Sequence, residues 1–249
     1  MTPPLYSFAF QPIVDIETWT PVAYEALVRG FGGEEAAHVL DGVGPANIQA
    51  FDVHGRRRAM SLALALGLDC NLNLNLVAGC LEAADNAVAA TLTAADAVGL
   101  AHHRIVLEVS ECTAVHDRRR FATLIDSYRD LGLKFAIDDF GSGYSGLNLL
   151  ADFQPNQVKL DMHLVRSIES HAPRQAIIRA VVSLCQDLNI ELIAEGVESM
   201  GEYRWLADQG IRLYQGFLFG KPMFESLPEI VVPARSQLSL LSGRPRLND

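Results

Sequence analysis

An α/β protein folded as a (β/α)8 barrel is what the sequence predicts, and three observations carry that prediction. Strand candidates occur about eight times, mostly separated by helical segments, a pattern that implies a largely parallel sheet with right-handed crossovers. The chain has 249 residues, 49% of them hydrophobic, enough for one large core, and no Ser/Pro-rich linker divides it. Acids stand at the ends of several strand candidates: Glu108, Asp138 with Asp139, Asp161 and Glu195. In a barrel those ends converge on one face, where sites are built.

Residues 8–14 (FAFQPIV) form the first strand candidate, and Pro12 within it predicts an edge or terminal strand. Residues 22–29 (VAYEALVR) form the second, interrupted by Glu25; an acid inside such a run needs a partner or a metal. Residues 30–45 are rich in Gly, Glu and Ala and predict a short helix with loops. Phe51, Ala59, Leu62 and Leu66 recur at helical spacing, with Gly67 as a stop. Residues 71–76 (NLNLNL) alternate with strict period two. With the leucines packed outward on helices, the asparagines line an interior and need hydrogen-bond or metal partners. The alternative is a half-exposed strand with a wet Asn face.

An alanine-rich helix follows around 82–98, then a strand at 104–109 (RIVLEV) carrying Glu108, with Glu111 just beyond. Residues 113–131 read as an amphipathic helix burying Phe121, Leu124, Ile125 and Tyr128 and ended by Gly132. The centre of the chain is 134–147 (KFAIDDFGSGYSGL), a short apolar strand that stops on two adjacent carboxylates and runs into glycine-rich backbone. Burying two neighbouring acids costs several kcal/mol unless cations neutralise them, so the pair points to a hard, oxygen-loving metal. A strand at 158–161, a helix at 173–188, a strand entering 191–198 (ELIAEGVE) and a last strand at 211–215 complete the pattern. One domain is expected over residues 1–231, followed by a tail at 232–249.

The net charge of −10 disfavours a phosphate-tracking surface, so DNA or bulk RNA is not the expected partner. Cys70, Cys80, Cys112 and Cys185 lie far apart without a CxxC pair, which reads as reduced thiols of a cytoplasmic protein. The N-terminus has no basic and apolar leader pattern and no 18-residue uncharged run follows, so no membrane association is expected. A dinucleotide fingerprint and a P-loop are both missing. His102 and His103 precede a strand and are expected to be exposed.

Four motifs stand in order: residues 24–29 (YEALVR), 138–145 (DDFGSGYS), 195–198 (EGVE) and 215–222 (QGFLFGKP). With these the chain resembles the EAL-domain family over about residues 6–228. The wording at 10–14 and 25–30 is most similar to the subgroup attached to blue-light-sensing BLUF domains, although no sensor domain is expected within these residues. The resemblance implies a modified TIM barrel with an antiparallel first strand. It implies a phosphodiesterase that hydrolyses the bacterial second messenger cyclic di-GMP to linear pGpG.

The family's roles fall on this sequence residue by residue. The resemblance makes Glu25, Asn75, Glu108 and Asp138 ligands of one metal, with Asp138 and Asp139 holding a second. Lys159 resembles the lysine that contacts the attacking water, Glu195 the glutamate that positions or deprotonates it, and Gln215 a further water-orienting or metal-shell residue. Gln11, Leu27 and Arg29 match substrate-facing positions, Arg29 on a phosphate. Glu111 resembles the acid that anchors the loop after Asp139. Such an oxygen-rich shell suits two Mg²⁺ or Mn²⁺ ions, which can stabilise both attacking and leaving oxygens of a phosphodiester. The family also implies a homodimer through the face near residues 140–165, with a sensor or regulator able to act in trans.

Other readings stay open at this point. Lys159 is alternatively a structural lysine paired with Asp139 or Asp161. Glu111 alternatively caps the following helix. Asp161 and Glu198 are placed on the site's margin, and Tyr144 and Phe140 are read as packing residues. Asn73 is an alternative ligand to Asn75, whose distance from Glu108 fits the family spacing better. The span between Glu25 and the asparagine strand is short for the family, and Gly146 stands where serine is usual. The rival function is a cyclic di-GMP receptor that binds without cutting, or an interaction module controlled by light or a partner.

Overall fold

The computed structural model describes residues 5–76, 84–110, 118–143 and 146–233. β1 (Tyr6–Asp15) and β2 (Thr20–Gly30) form an antiparallel hairpin that sets Gln11 opposite Glu25. Helices α1 (Ala36–Val43) and α2 (Ile48–Ala65) follow, then β3 (Asn71–Asn75), α3 (Ala84–Val98), β4 (Ile105–Ser110) and α4 (Arg118–Arg129). The second half runs β5 (Lys134–Phe140), α5 (Gly146–Asp152), β6 (Gln157–Leu160), α6 (Met162–Val165), α7 (Ala172–Asp187) and β7 (Glu191–Ala194). It closes with α8 (Met200–Asp208), β8 (Leu213–Tyr214) and β9 (Met223–Phe224).

From β2 to β8 each strand lies parallel to the next, and β1 runs antiparallel to both β2 and β8. The ring is a modified (β/α)8 barrel with an antiparallel first strand, and β9 pairs with β1 outside it. β1 is therefore a member of the closed ring, which corrects the edge or terminal placement drawn from Pro12. The proline is tolerated because it falls between the β8 pairings of Val14 and Asp15 and the β9 pairings of Ala9 and Phe10. On that side no ladder requires its missing N–H.

Helix ends follow their local chemistry. α2 stops where Gly67 takes φ +83, and α4 stops before Gly132 at φ +94, conformations that glycine adopts without a Cβ penalty. α8 opens on a capping box in which Ser199 accepts from Glu202 N–H while Glu202 reaches back. The expected start of α4 and the residues Glu111, Cys112, Tyr144 and Ser145 lie outside the described residues, as do Cys80 and the tail beyond Pro233. Ile125 is buried and Tyr128 half-buried on α4, as its periodicity requires, while the Phe121 and Leu124 side chains lie outside the described set. Cys70 and Cys185 are free thiols, each pushed up to about 11 by burial.

The barrel interior has two layers. Ile13, Ala23, Ile193 and Leu213 form a separate apolar plug. Two residues further toward the opposite end, on the same face of each strand, stand Gln11, Glu25, Glu195 and Gln215. Period-two alternation thus stacks a polar layer on an apolar floor. The outward residues, among them Leu72, Leu74, Leu107, Phe135 and Val158, pack against the helical shell.

Candidate active site

Lys159 sits in the middle of the polar layer, 1% exposed at its side chain. Its Nζ lies 3.1 Å from Glu25 Oε2, 2.9 Å from Glu108 Oε1, 2.9 Å from Asp138 Oδ1 and 2.8 Å from Glu195 Oε1. These partners come from β2, β4, β5 and the residue after β7, so barrel closure alone assembles them. The structural pairing of Lys159 with Asp139 or Asp161 weighed from sequence is replaced by these four contacts. Of the two alternatives, Asp161 caps α6, its Oδ1 accepting from His163 N–H at 2.8 Å, while Asp139 stands at the same mouth beside Asp138 and Glu195.

Amides complete the cluster. Asn75 Nδ2 donates to Glu25 Oε1 at 3.0 Å, and Asn73 Nδ2 donates to Glu108 Oε1 at 2.8 Å. Gln215 Nε2 donates to Glu25 Oε2 at 2.8 Å and to Gln11 Oε1 at 3.3 Å. Gln11 in turn donates to the Gly220 carbonyl at 3.1 Å. Two close backbone approaches hold Glu195 and Gln215 side by side. A Cβ on Gly216 would lie 2.1 Å from the Val197 carbonyl oxygen, and one on Gly196 (φ +63) 2.5 Å from Met162 Cβ. Only glycine fits either place.

Strand alternation by itself would send Asp138 and Asp139 to opposite faces. The register of β5 against β6 shifts between Ile137 and Phe140, and Asp139 takes φ +55. This bulge, with an aspartate in the left-handed region that short polar side chains tolerate, turns both carboxylates to the barrel mouth. Oxygens of Glu25, Glu108 and Asp138 lie within 4.8 Å of one another, and so do those of Asp138, Asp139 and Glu195. Asp138 belongs to both trios.

Electrostatics follow from one ammonium among many acids. Burial and the neighbouring Glu25 charge push Glu108 well above the usual carboxylate range. Burial does the same to Glu195 against the pull of Lys159. Glu25 is held below it, because Lys159, Gln215 and Asn75 outweigh its burial. Burial, Asp138 and Asp161 raise Asp139 to about 6. Lys159 stays an ammonium: burial disfavours its charge, but Asp138, Glu108, Glu195 and Glu25 outweigh that.

The donor set fits an oxygen-preferring divalent cation. Glu108 Oε2, Asn73 Oδ1 and Gln215 Oε1 are buried acceptors without a hydrogen-bond partner among the described residues. The trios are all carboxylate, and neither includes a histidine or cysteine.

The remaining sequence-derived residues are distributed unevenly. Leu27 lines a cavity of about 390 Å³ with Glu25, Asn75 and Asp138. Arg29 is half-buried further along the same face of β2, where its Nη1 donates to the Val28 carbonyl at 2.7 Å, away from the carboxylates. Glu111 lies outside the described residues. Glu198 pairs with Arg166 at the margin. Sequence reading missed the buried Asp52–Arg56 pair of α2, which lines the same cavity. Its i, i+4 spacing was the available signal.

Fold and site together define a closed (β/α)8 barrel with an acidic, cation-accepting mouth. The chain belongs to the EAL domain family, which matches residues 5–222. BluF, the blue light- and temperature-regulated antirepressor of Escherichia coli (strain K12), is 34% identical over 229 residues. That alignment covers 92% of this chain and 57% of BluF, so the chain spans little more than half of that relative. The cyclic di-GMP phosphodiesterase PdeR of the same organism is 41% identical over 119 residues, 48% of this chain and 18% of PdeR. A standalone versatile EAL protein from Vibrio cholerae O395, in its c-di-GMP bound form, superposes with TM-score 0.86 at 43% identity, covering 91% of this chain and 95% of that one. Klebsiella pneumoniae BlrP1 in a manganese and cyclic di-GMP complex gives TM-score 0.86 at 37% identity, covering 92% and 59%.

Proposed function

We propose that this chain is a metal-dependent phosphodiesterase that hydrolyses cyclic di-GMP to linear pGpG. The observation that carries the reading is the pair of carboxylate trios sharing Asp138 beside Lys159 and Glu195. Relatives named as cyclic di-GMP phosphodiesterases or solved with that nucleotide support the substrate.

Glu25, Asn75, Glu108 and Asp138 would hold one Mg²⁺ or Mn²⁺, and Asp138 with Asp139 a second. When bound, such a pair lowers the pKa of a water and neutralises charge developing on the phosphate. We assign Glu195 to accepting the water's proton and Lys159 to aiming its oxygen at phosphorus. The new P–O bond forms as the P–O3′ bond breaks, and the leaving oxygen takes a proton from solvent to end as a 3′-hydroxyl. Gln215 holds the orientation of Glu25. Gln11 and Leu27 face the substrate, and Arg29 turns from the Val28 carbonyl to a phosphate. Glu111 is assigned to anchoring the loop after Asp139. We assign the chain to the cytoplasm; no helix among the described residues is long and apolar enough to cross a membrane.

Incubation of the purified chain with cyclic di-GMP, with and without Mg²⁺ or Mn²⁺, tests this by chromatography. Metal-dependent appearance of pGpG is expected. A second reading, a nucleotide-responsive regulatory module, is favoured by the antirepressor name of BluF. Binding of intact cyclic di-GMP without product would establish it.

A further inference from the structure

Lys159 and a divalent cation would draw on the same carboxylates. An ammonium has three N–H bonds, yet four carboxylates stand within 3.1 Å of Nζ. At least one of them is served by charge alone, as in the coordination shell of a metal. Three of the four, Glu25, Glu108 and Asp138, are the trio whose oxygens converge within 4.8 Å.

We propose that Lys159 is an antagonist of the first divalent cation: its ammonium keeps the metal-free barrel folded and, through the same carboxylates, weakens metal binding. This rests on the reading of the mouth as a divalent-cation centre. Four acids facing one another inside a barrel repel strongly, and one fixed positive charge offsets part of that cost. A cation arriving at those carboxylates meets a like charge beside them and one oxygen of each already drawn to the ammonium. The coupling is reciprocal, so whatever Lys159 removes from metal affinity the metal removes from the hold on Lys159. Lys159 thereby sets how much free metal the site needs, apart from any role toward water.

The test uses Lys159→Met, which keeps the unbranched apolar stem of the side chain and removes its ammonium. Chelator-stripped wild-type and variant chains are titrated with Mn²⁺ by calorimetry and by the resonance signal of free Mn²⁺, and melted with and without the ion. The metal-free variant is expected to melt below wild type, to gain more from Mn²⁺, and to bind its first ion about tenfold tighter or more. Equal or weaker affinity overturns the proposal. Should the variant not fold without metal, Lys159→Met combined with Glu195→Gln is compared with Glu195→Gln alone, where the same tightening is expected. Mn²⁺ binding by neither chain overturns the cation-centre reading as well, whereas unchanged affinity overturns the antagonism alone.

Discussion

Gln215 Nε2 lies 2.8 Å from Glu25 Oε2, joining residues 190 positions apart. The same nitrogen reaches Gln11 Oε1 at 3.3 Å, so one amide ties the end of β8 across β1 to β2. Glu25 thus has its carboxylate plane set from three sides, by Gln215, Asn75 and Lys159.

Two variants separate holding a ligand from being one. Glu25→Ala is predicted to abolish pGpG formation, a loss of about 10³-fold or more, with the melting temperature retained. Gln215→Ala is predicted to cost about 10–100-fold, because Glu25 remains but loses its orientation. Turnover by chromatography and circular dichroism melts check both; undiminished activity in Glu25→Ala removes the metal assignment.

The Asp52–Arg56 pair is almost wholly buried, and Arg56 Nε also donates to Thr91 Oγ1 at 2.9 Å, linking α2 to α3. Arg56→Ala removes the guanidinium of a buried ion pair together with its bond to Thr91 and is predicted to cost about 3–5 kcal/mol of stability. Replacing both partners, Arg56→Met with Asp52→Leu, is expected to cost much less. Urea titrations of the two variants decide; equal losses would mean that packing, not charge, holds the helices.

Stability should depend on acid through Asp15. Its buried carboxylate, hydrogen-bonded by Arg212 of the turn before β8, is held below the usual range. A lowered folded pKa gives stability that is fully present above the unfolded value of about 3.9 and is lost as pH falls through the folded one. The gap in melting temperature between wild type and Asp15→Asn is therefore predicted to be widest above about pH 5 and to close in stronger acid. A gap independent of pH would show that the contribution is steric.

A homodimer through the face near residues 140–165, as the family resemblance implies, would cover Leu147, 66% exposed, and Met162, 41% exposed. Leu147→Glu is predicted to shift the chain to monomer in light-scattering chromatography, since burying an unpaired charge at an interface costs several kcal/mol. A wild-type chain that is monomeric at all concentrations would remove the assignment.

Much of this was legible locally. Strict alternation in 71–76 predicted β3 with its leucines outward, and Leu72 and Leu74 are buried against the helices while Asn73 points inward. Glu25 inside an apolar run demanded a partner, and it has three. Pro12 misled, because an argument from one missing N–H cannot see that the neighbouring strands β8 and β9 leave a gap beside it. The pairing of Lys159 with Asp139 or Asp161, left open as an alternative from sequence, gives way to contacts with four acids, three from different strands and one just after β7.

By itself the sequence determined the repeating strand–helix order, the stacking of a polar layer on an apolar floor and the oxygen chemistry of the mouth. Those properties follow from side-chain period and residue type, which are local. Tertiary structure alone decided that Asp138 and Asp139 share a face, that one ammonium sits among four carboxylates, and which buried oxygens are left without a donor. Each depends on a bulge, a register or the closure of the ring, and these are set by contacts between residues distant in the chain, such as Glu25 and Gln215, 190 positions apart.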